Sequence, residues 1–216
     1  MIAQGAGPTG DDHDLRGVVL AGGRSRRFGD RDKALARFDG RTLVSRAADA
    51  VAPLGVDPPF VAVGTASRRA LLGSGIDRPV EYVFDPPGIG GPVGGILAAA
   101  RVTEADRLAV VGCDMPLATT EAIRWLAGQS ADADAVVPVD EGGELQPVFA
   151  VYRTTAVTAA ESRLTSAALF GLLDELDVHR VPVESAPAEL RVDQALTNVN
   201  TPADLERLRE RSDSSG

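Results

Sequence analysis

Three groups of residues in this chain have the types and spacing that chemistry on a charged substrate requires. The first is the loop Gly22-Gly23-Arg24-Ser25-Arg26-Arg27-Phe28-Gly29-Asp30-Arg31-Asp32-Lys33, which follows directly on the apolar run Val18-Val19-Leu20. Glycines expose backbone amides to close approach and the side chains add positive charge, a combination suited to a polyphosphate. Lys33 is the single lysine among 22 cationic side chains, so the remainder are all arginine. The expectation is a nucleoside triphosphate held at the end of the first strand; the plainer alternative is a surface turn with solvated arginines.

The second group is Gly112-Cys113-Asp114-Met115-Pro116, just past the apolar run Leu108 to Val111. A carboxylate placed there suits Mg²⁺, which takes one or two acids and completes its shell with waters and substrate phosphates. Alternatively, Asp114 caps the next turn or helix. A structural role is expected for Cys113, since one cysteine without a neighbouring histidine makes a poor metal site. The third group opens with Asp85 and continues through a glycine-rich segment, in which Gly88, Gly90, Gly91, Gly94 and Gly95 fall within eight residues. Glycines at a helix start let amides approach a ligand beside the positive end of the dipole. Asp85 itself could contact a metal, a ribose or a base, or begin the turn before Pro86-Pro87.

Such groups need a scaffold that brings them together. Leu15 to Leu20, Phe60 to Val63, Val80 to Phe84 and Leu108 to Val111 read as strands. They alternate with helical patterns that begin near Leu43, run through Ala70 to Leu72, open inside the glycine segment, and start at Thr120. Repeated strand–helix alternation predicts a parallel sheet covered on both faces. The expected fold is a three-layer α/β sandwich, Rossmann-like and mostly parallel, with an irregular and partly antiparallel C-terminal half. In that half, Ala135 to Val139 and Leu145 to Tyr152 flank a turn-rich segment that is either a hairpin or a longer loop. Helices are expected around Thr155–Glu161 and Ser166–Leu176, then a late strand over Val178 to Val183. The last helix starts at Thr201-Pro202-Ala203-Asp204, with threonine as N-cap and proline at the first position. In open α/β sheets ligands bind beyond the carboxyl ends of the parallel strands. The loop, Asp85 and Asp114 each stand just after such a strand.

Composition narrows the function classes. The chain has 31 acidic and 22 basic side chains, a net charge of −9 that disfavours general nucleic-acid binding. An acidic surface almost without lysine suits a high-salt cytoplasm. No apolar run approaches a membrane span, and residues 1–14 lack the pattern of a secretory signal, so a cytoplasmic location is expected. The expected organisation is a flexible tail over 1–14, a single domain over 15–211 and a polar tail over 212–216. The phosphate-loop pattern GxxxxGK[ST] is absent, as is GxGxxG after the first strand, which disfavours ordinary P-loop enzymes and dinucleotide oxidoreductases.

The ordered motifs resemble those of nucleotidyltransferases with a mixed α/β sheet, and most closely the molybdenum cofactor guanylyltransferase family. Gly22, Gly23, Arg27, Gly29, Asp32 and Lys33 match that family's GGxxxRxGxxDK loop, and Asp85 with Gly91-Pro92-Val93-Gly94-Gly95 is similar to its Asp…GPLAG segment. Asp114 falls in a CDxP-like site, while Gln146 to Tyr152 and Asn198-Val199-Asn200-Thr201-Pro202 resemble its QPLFALY and NVNTP segments. The resemblance implies GMP transfer from GTP to the terminal phosphate of a pterin cofactor, with pyrophosphate released and Mg²⁺ on Asp114. It implies that Leu20, Ala21, Gly22, Gly23, Lys33, Asp85 and Asp114 bind nucleotide, and that Lys33, Arg27 and Asp114 are catalytic. Gly91, Gly94, Gly95, Asn198 and Asn200 would lie at the acceptor side or rim. Two departures stand out: Gly64 replaces an asparagine found in many members, and Ser162 to Ala168 matches poorly. The alternatives are transfer from CTP to the same pterin, transfer from GTP to another phosphorylated acceptor such as cobinamide phosphate, and a non-catalytic nucleotide-binding protein.

Overall fold

The computed structural model describes residues 15–23, 28, 32–164 and 166–213. Arg27, Gly29, the tail expected over 1–14 and the last three residues lie outside that set. The first strand, β1 (Leu15–Leu20), is followed by a small hairpin of β2 (Arg37–Phe38) and β3 (Arg41–Thr42). Then come α1 (Leu43–Val51), β4 (Phe60–Ala62), α2 (Ala66–Leu72), β5 (Glu81–Val83), α3 (Gly91–Val102), β6 (Arg107–Gly112) and α4 (Thr120–Ala127). The C-terminal half contains β7 (Ala135–Val139), β8 (Phe149–Arg153), α5 (Thr154–Ala160), α6 (Leu169–Leu173), β9 (Val178–Pro182), α7 (Val192–Ala195) and α8 (Pro202–Asp213). Helix α8 thus runs into the segment expected as polar tail, and α6 is shorter than the pattern suggested. Among the described residues no helix is long and apolar enough to cross a membrane.

Seven strands form one sheet in the order β5-β4-β1-β6-β8-β7-β9. Only β8 runs against the rest: it is antiparallel to β6 and β7, whereas β7 and β9 pair in parallel. The turn-rich segment before it is a hairpin, closed by an antiparallel bridge between Val139 and Leu145. Alternate residues of β1 face opposite layers. Val19 packs with Val44, Val51 and Leu126 on the α1–α4 side, while Val18 packs with Val93, Ile96 and Leu97 of α3 on the other. Strands buried on both faces explain the continuous apolar runs.

Caps hold the helices where the sequence suggests. The Thr42 hydroxyl accepts from the Ser45 amide at 3.1 Å, and Asp204 accepts at 2.8 Å from the Thr201 amide while donating its own N–H to the Thr201 hydroxyl at 3.2 Å. The second pair is a reciprocal capping arrangement that satisfies two otherwise orphaned helix-end donors.

Gly17 allows α1 to lie close on β1. A Cβ at that position would stand 2.5 Å from the Val51 Cβ and 2.7 Å from its carbonyl oxygen. Gly17→Ala is therefore expected to force the helix outward and cost about 1–3 kcal/mol. Thermal melting checks this, and an unchanged midpoint would show that the contact relaxes freely.

Registers decide where the loops emerge. Leu20 at the end of β1 stands opposite Ala62 of β4 and Gly112 of β6, and Ala62 stands opposite Val83 of β5. Four parallel strands therefore end in line and release their following segments at one edge. Because β8 runs the other way, its beginning reaches the same edge, and Gly112 donates to the Val148 carbonyl at 2.9 Å.

Candidate active site

A cleft of about 370 Å³ opens at this edge, and Gly22, Gly23, Lys33, Asp85, Asp114 and Asn200 all line it. Its apolar floor includes Leu20, Ala62 and Val148. The segments that leave β1, β5 and β6 thus converge on a single space.

Lys33 and Asp114 form the charged centre. The Lys33 ammonium donates to Asp114 Oδ2 at 2.6 Å and to Asn200 Oδ1 at 3.1 Å. The two charged side chains are 17% and 23% exposed, so the pair is partly desolvated yet open to the cleft. Lys33 begins a single 3₁₀ turn, Lys33–Leu35, whose cap is Asp32. Asp114 is fixed from two sides. The turn after β6 is closed by Met115 donating to the Gly112 carbonyl at 3.1 Å, and the Asp114 carbonyl accepts from the Val199 amide at 2.8 Å. That last bond brings the Asn198–Asn200 segment to the site. Val199 is itself buried with Phe38, Leu43, Leu205 and Leu208, so α8 and the hairpin anchor the segment from behind. Asn200 reaches the cleft; Asn198 does not line it and donates instead to the Leu196 carbonyl at 3.3 Å.

The backbone at the end of β1 divides in use. Ala21 is buried, its amide donates to the Ala62 carbonyl at 2.9 Å, and its own carbonyl accepts from Arg68 at 2.8 Å. Both of its backbone polar groups thus have partners within the protein. Gly22 and Gly23 are exposed, and their amides meet no acceptor among the described residues. They are the donors that remain for an anion.

Asp85 stands across the cleft. Its Oδ2 accepts from the Gly91 amide at 3.2 Å, and burial raises its pKa, partly offset by that hydrogen bond. The glycines around it differ in purpose. Gly91 adopts φ +73° and is exposed at the cleft. Gly94 and Gly95 are buried packing positions. A Cβ on Gly94 would meet the Ile89 carbonyl at 2.4 Å, and one on Gly95 would meet the Ala62 Cβ at 2.7 Å. Gly95 still borders the cleft, whereas Gly94 does not line it. Gly64, at φ +69°, leaves room beside Asp85, because a Cβ there would stand 3.1 Å from Oδ2.

Cys113 is buried at the edge of the cleft. Burial, reinforced by the neighbouring Asp114 charge, pushes its thiol up to about 12, so at neutral pH it is a protonated packing group. His179 is exposed on β9, away from the cleft.

One cleft residue has no counterpart in the motif reading. Arg68, on α2, makes a two-pronged ion pair with Asp32, with Nη2 to Oδ1 at 3.0 Å, alongside its bond to Ala21. A signal was present: Thr65 accepts from the Arg68 amide at 3.2 Å as the cap of α2, which puts Arg68 in the first turn, at the end of the helix nearest the loop.

Residues 17–180 match the model of the MobA-like NTP transferase domain. The chain belongs to that family. It is 33% identical over 201 residues to a probable molybdenum cofactor guanylyltransferase of Pelotomaculum thermopropionicum, covering 92% of this chain and 94% of that protein. It is 32% identical to a protein of the same name in Bacillus subtilis, covering 91% and 96%. Among solved structures, molybdopterin-guanine dinucleotide biosynthesis protein A from Archaeoglobus fulgidus superposes with a TM-score of 0.75 at 24% identity, covering 92% of this chain and 99% of that one. At that identity the likeness is one of fold, and the sheet of this MobA-like domain agrees with it.

The raised pKa of Asp85 has a signed consequence. The folded state holds the proton more tightly than the unfolded chain, so this group favours folding most at acid pH, and that contribution fades as pH rises through its folded pKa. At neutral pH the desolvated carboxylate opposes folding. Asp85→Asn is expected to melt slightly higher than the wild type near pH 7, with the difference shrinking towards about pH 4. Melting curves across that range test the sign, and a neutral-pH loss of stability would contradict it.

Proposed function

We propose that this chain transfers GMP from GTP to the terminal phosphate of molybdopterin cofactor and releases pyrophosphate. The observation that carries the reading is the Lys33–Asp114 pair, 2.6 Å apart on the strand-end edge beside the open Gly22 and Gly23 amides. It is supported by the relatives at 33% and 32% identity, both named as probable molybdenum cofactor guanylyltransferases.

The acceptor phosphate is already ionised, so no side chain has to remove a proton from it. An acceptor oxygen bonds to the α-phosphorus of GTP as the bond to the bridging α–β oxygen breaks, and the electron pair leaves with pyrophosphate. Catalysis is then alignment and charge neutralisation. Lys33 and the Gly22 and Gly23 amides face the negative charge that collects on the leaving group. Asp85 offers a carboxylate that accepts from the paired N–H donors on the edge of guanine, a pattern that cytosine lacks.

The residues fit a Mg²⁺ that arrives with the nucleotide. Among the described residues no group of three potential ligands exists to hold an ion alone, and Asp114 already has a cation against one oxygen. Asp114 would hold the ion, which would supply charge stabilisation at the reacting phosphate.

The test is a matrix of four nucleoside triphosphates against molybdopterin, cobinamide phosphate and other phosphorylated acceptors, read by pyrophosphate release and product mass. GTP with molybdopterin should give the fastest release and a product heavier by one guanylyl group. Faster turnover with CTP, or turnover only with another acceptor, would replace this reading. Binding without turnover on any acceptor would leave a nucleotide-binding protein.

A further inference from the structure

We propose that Arg68 is a positioning residue that sets the place of Lys33 by clamping the two ends of the glycine–arginine loop. The inference rests on the reading of the cleft as a nucleotidyl-transfer site. Three donors of one guanidinium reach two anchors. Nε donates to the Ala21 carbonyl at the end of β1, and Nη1 and Nη2 take both oxygens of Asp32. Asp32 is the residue before Lys33, and its Oδ1 also accepts from the Ala34 amide at 2.9 Å, capping the turn that carries the lysine. The chain therefore leaves β1 and returns at Lys33 through points tied to the same side chain.

The pair is built for this. The side chains of Arg68 and Asp32 are 11% and 14% exposed, which removes most of the solvent screening that weakens surface ion pairs. A planar guanidinium can hold a carboxylate in two places and still present Nε to a carbonyl, an arrangement a lysine ammonium does not reproduce. Arg68 lines the cleft, and three of its five N–H donors are spent on these protein acceptors. Its role on this proposal is to hold Lys33.

Because Lys33 is the only lysine, protein labelled with ¹³C-lysine gives one lysine ε-methylene signal that reports on this residue directly, without nucleotide. In Arg68→Ala that signal should shift and broaden, and KM for GTP should rise at least tenfold. Asp32→Asn should do the same. The double variant should be no worse than either single one, because both break one clamp. Arg68→Lys should recover only part of the loss. Circular dichroism confirms folding, and Asp32→Asn carries the test if Arg68→Ala does not fold. A Lys33 signal identical to the wild type in both Arg68→Ala and Asp32→Asn would overturn the proposal, as would losses that multiply in the double variant, which would mark Arg68 as a direct ligand. If the wild type turns over no GTP, the functional reading fails while the nucleotide-free Lys33 signal still decides the clamp.

Discussion

Asp114→Ala is expected to lower turnover about a thousandfold while leaving the protein folded. Two features separate the functional loss from the structural one. The Asp114 and Lys33 side chains face the open cleft, where water can hydrate the ammonium left behind, so deleting the ion pair is expected to cost about 1–3 kcal/mol, a shift of several degrees in melting midpoint for a chain of this size. The turn itself is held by backbone bonds, from Met115 to Gly112 and from Val199 to Asp114, and alanine keeps both. The loss falls instead on charge stabilisation. Without the carboxylate, the gain in nucleotide binding from Mg²⁺ should shrink. GTP binding in chelator should hold or tighten, because Lys33 loses a competing anion and the triphosphate loses a repelling one. Calorimetric titration with and without Mg²⁺, beside steady-state turnover, separates these effects. Wild-type turnover in Mg²⁺ would remove Asp114 from the mechanism, and a Mg²⁺ dependence of binding equal to the wild type's would move the ion elsewhere.

The residues legible in the sequence were those whose position follows from local pattern plus one topological rule. The glycine loop, Asp85 and Asp114 each stand directly after an apolar run, and parallel strands that end in register bring such positions together. The connection between β7 and β8 reads equally as a hairpin or a longer loop, because Asp140 to Glu144 fits either until Val139 and Leu145 pair. The β2–β3 hairpin leaves one trace in the sequence, the turn signal Asp39-Gly40, both of whose residues take positive φ, 47° and 77°. Its strands are two residues each, too short for any period to show. Gly94 and Gly95 offer amides near the cleft on sequence grounds, and in the fold a Cβ on them would meet Ile89, Asp85, Ala62 and Leu20. A glycine count cannot distinguish the two uses. Arg68 was hardest, since it is one of many arginines and meets Asp32 only across 36 residues of sequence.

Lys33 carries the sharper expectation, because the composition of the chain sets up its own control. Lys33→Ala should weaken GTP binding at least tenfold and lower turnover about a hundredfold, since a leaving pyrophosphate would meet amides but no ammonium. Lys33→Arg is more informative. Every other cation in this protein is arginine, so if position 33 needed only positive charge, arginine would serve there as it does elsewhere. The geometry says otherwise. The ammonium sits 2.6 Å from Asp114 and 3.1 Å from Asn200, a compact point between two oxygen acceptors, and the planar, longer guanidinium would displace one of them. Turnover of Lys33→Arg should remain below about a tenth of wild type, with nucleotide binding restored more fully than turnover, because charge suffices for attraction but not for alignment. Wild-type kinetics in Lys33→Arg would show that the site asks only for charge, and the two-acceptor geometry would then be incidental to the reaction.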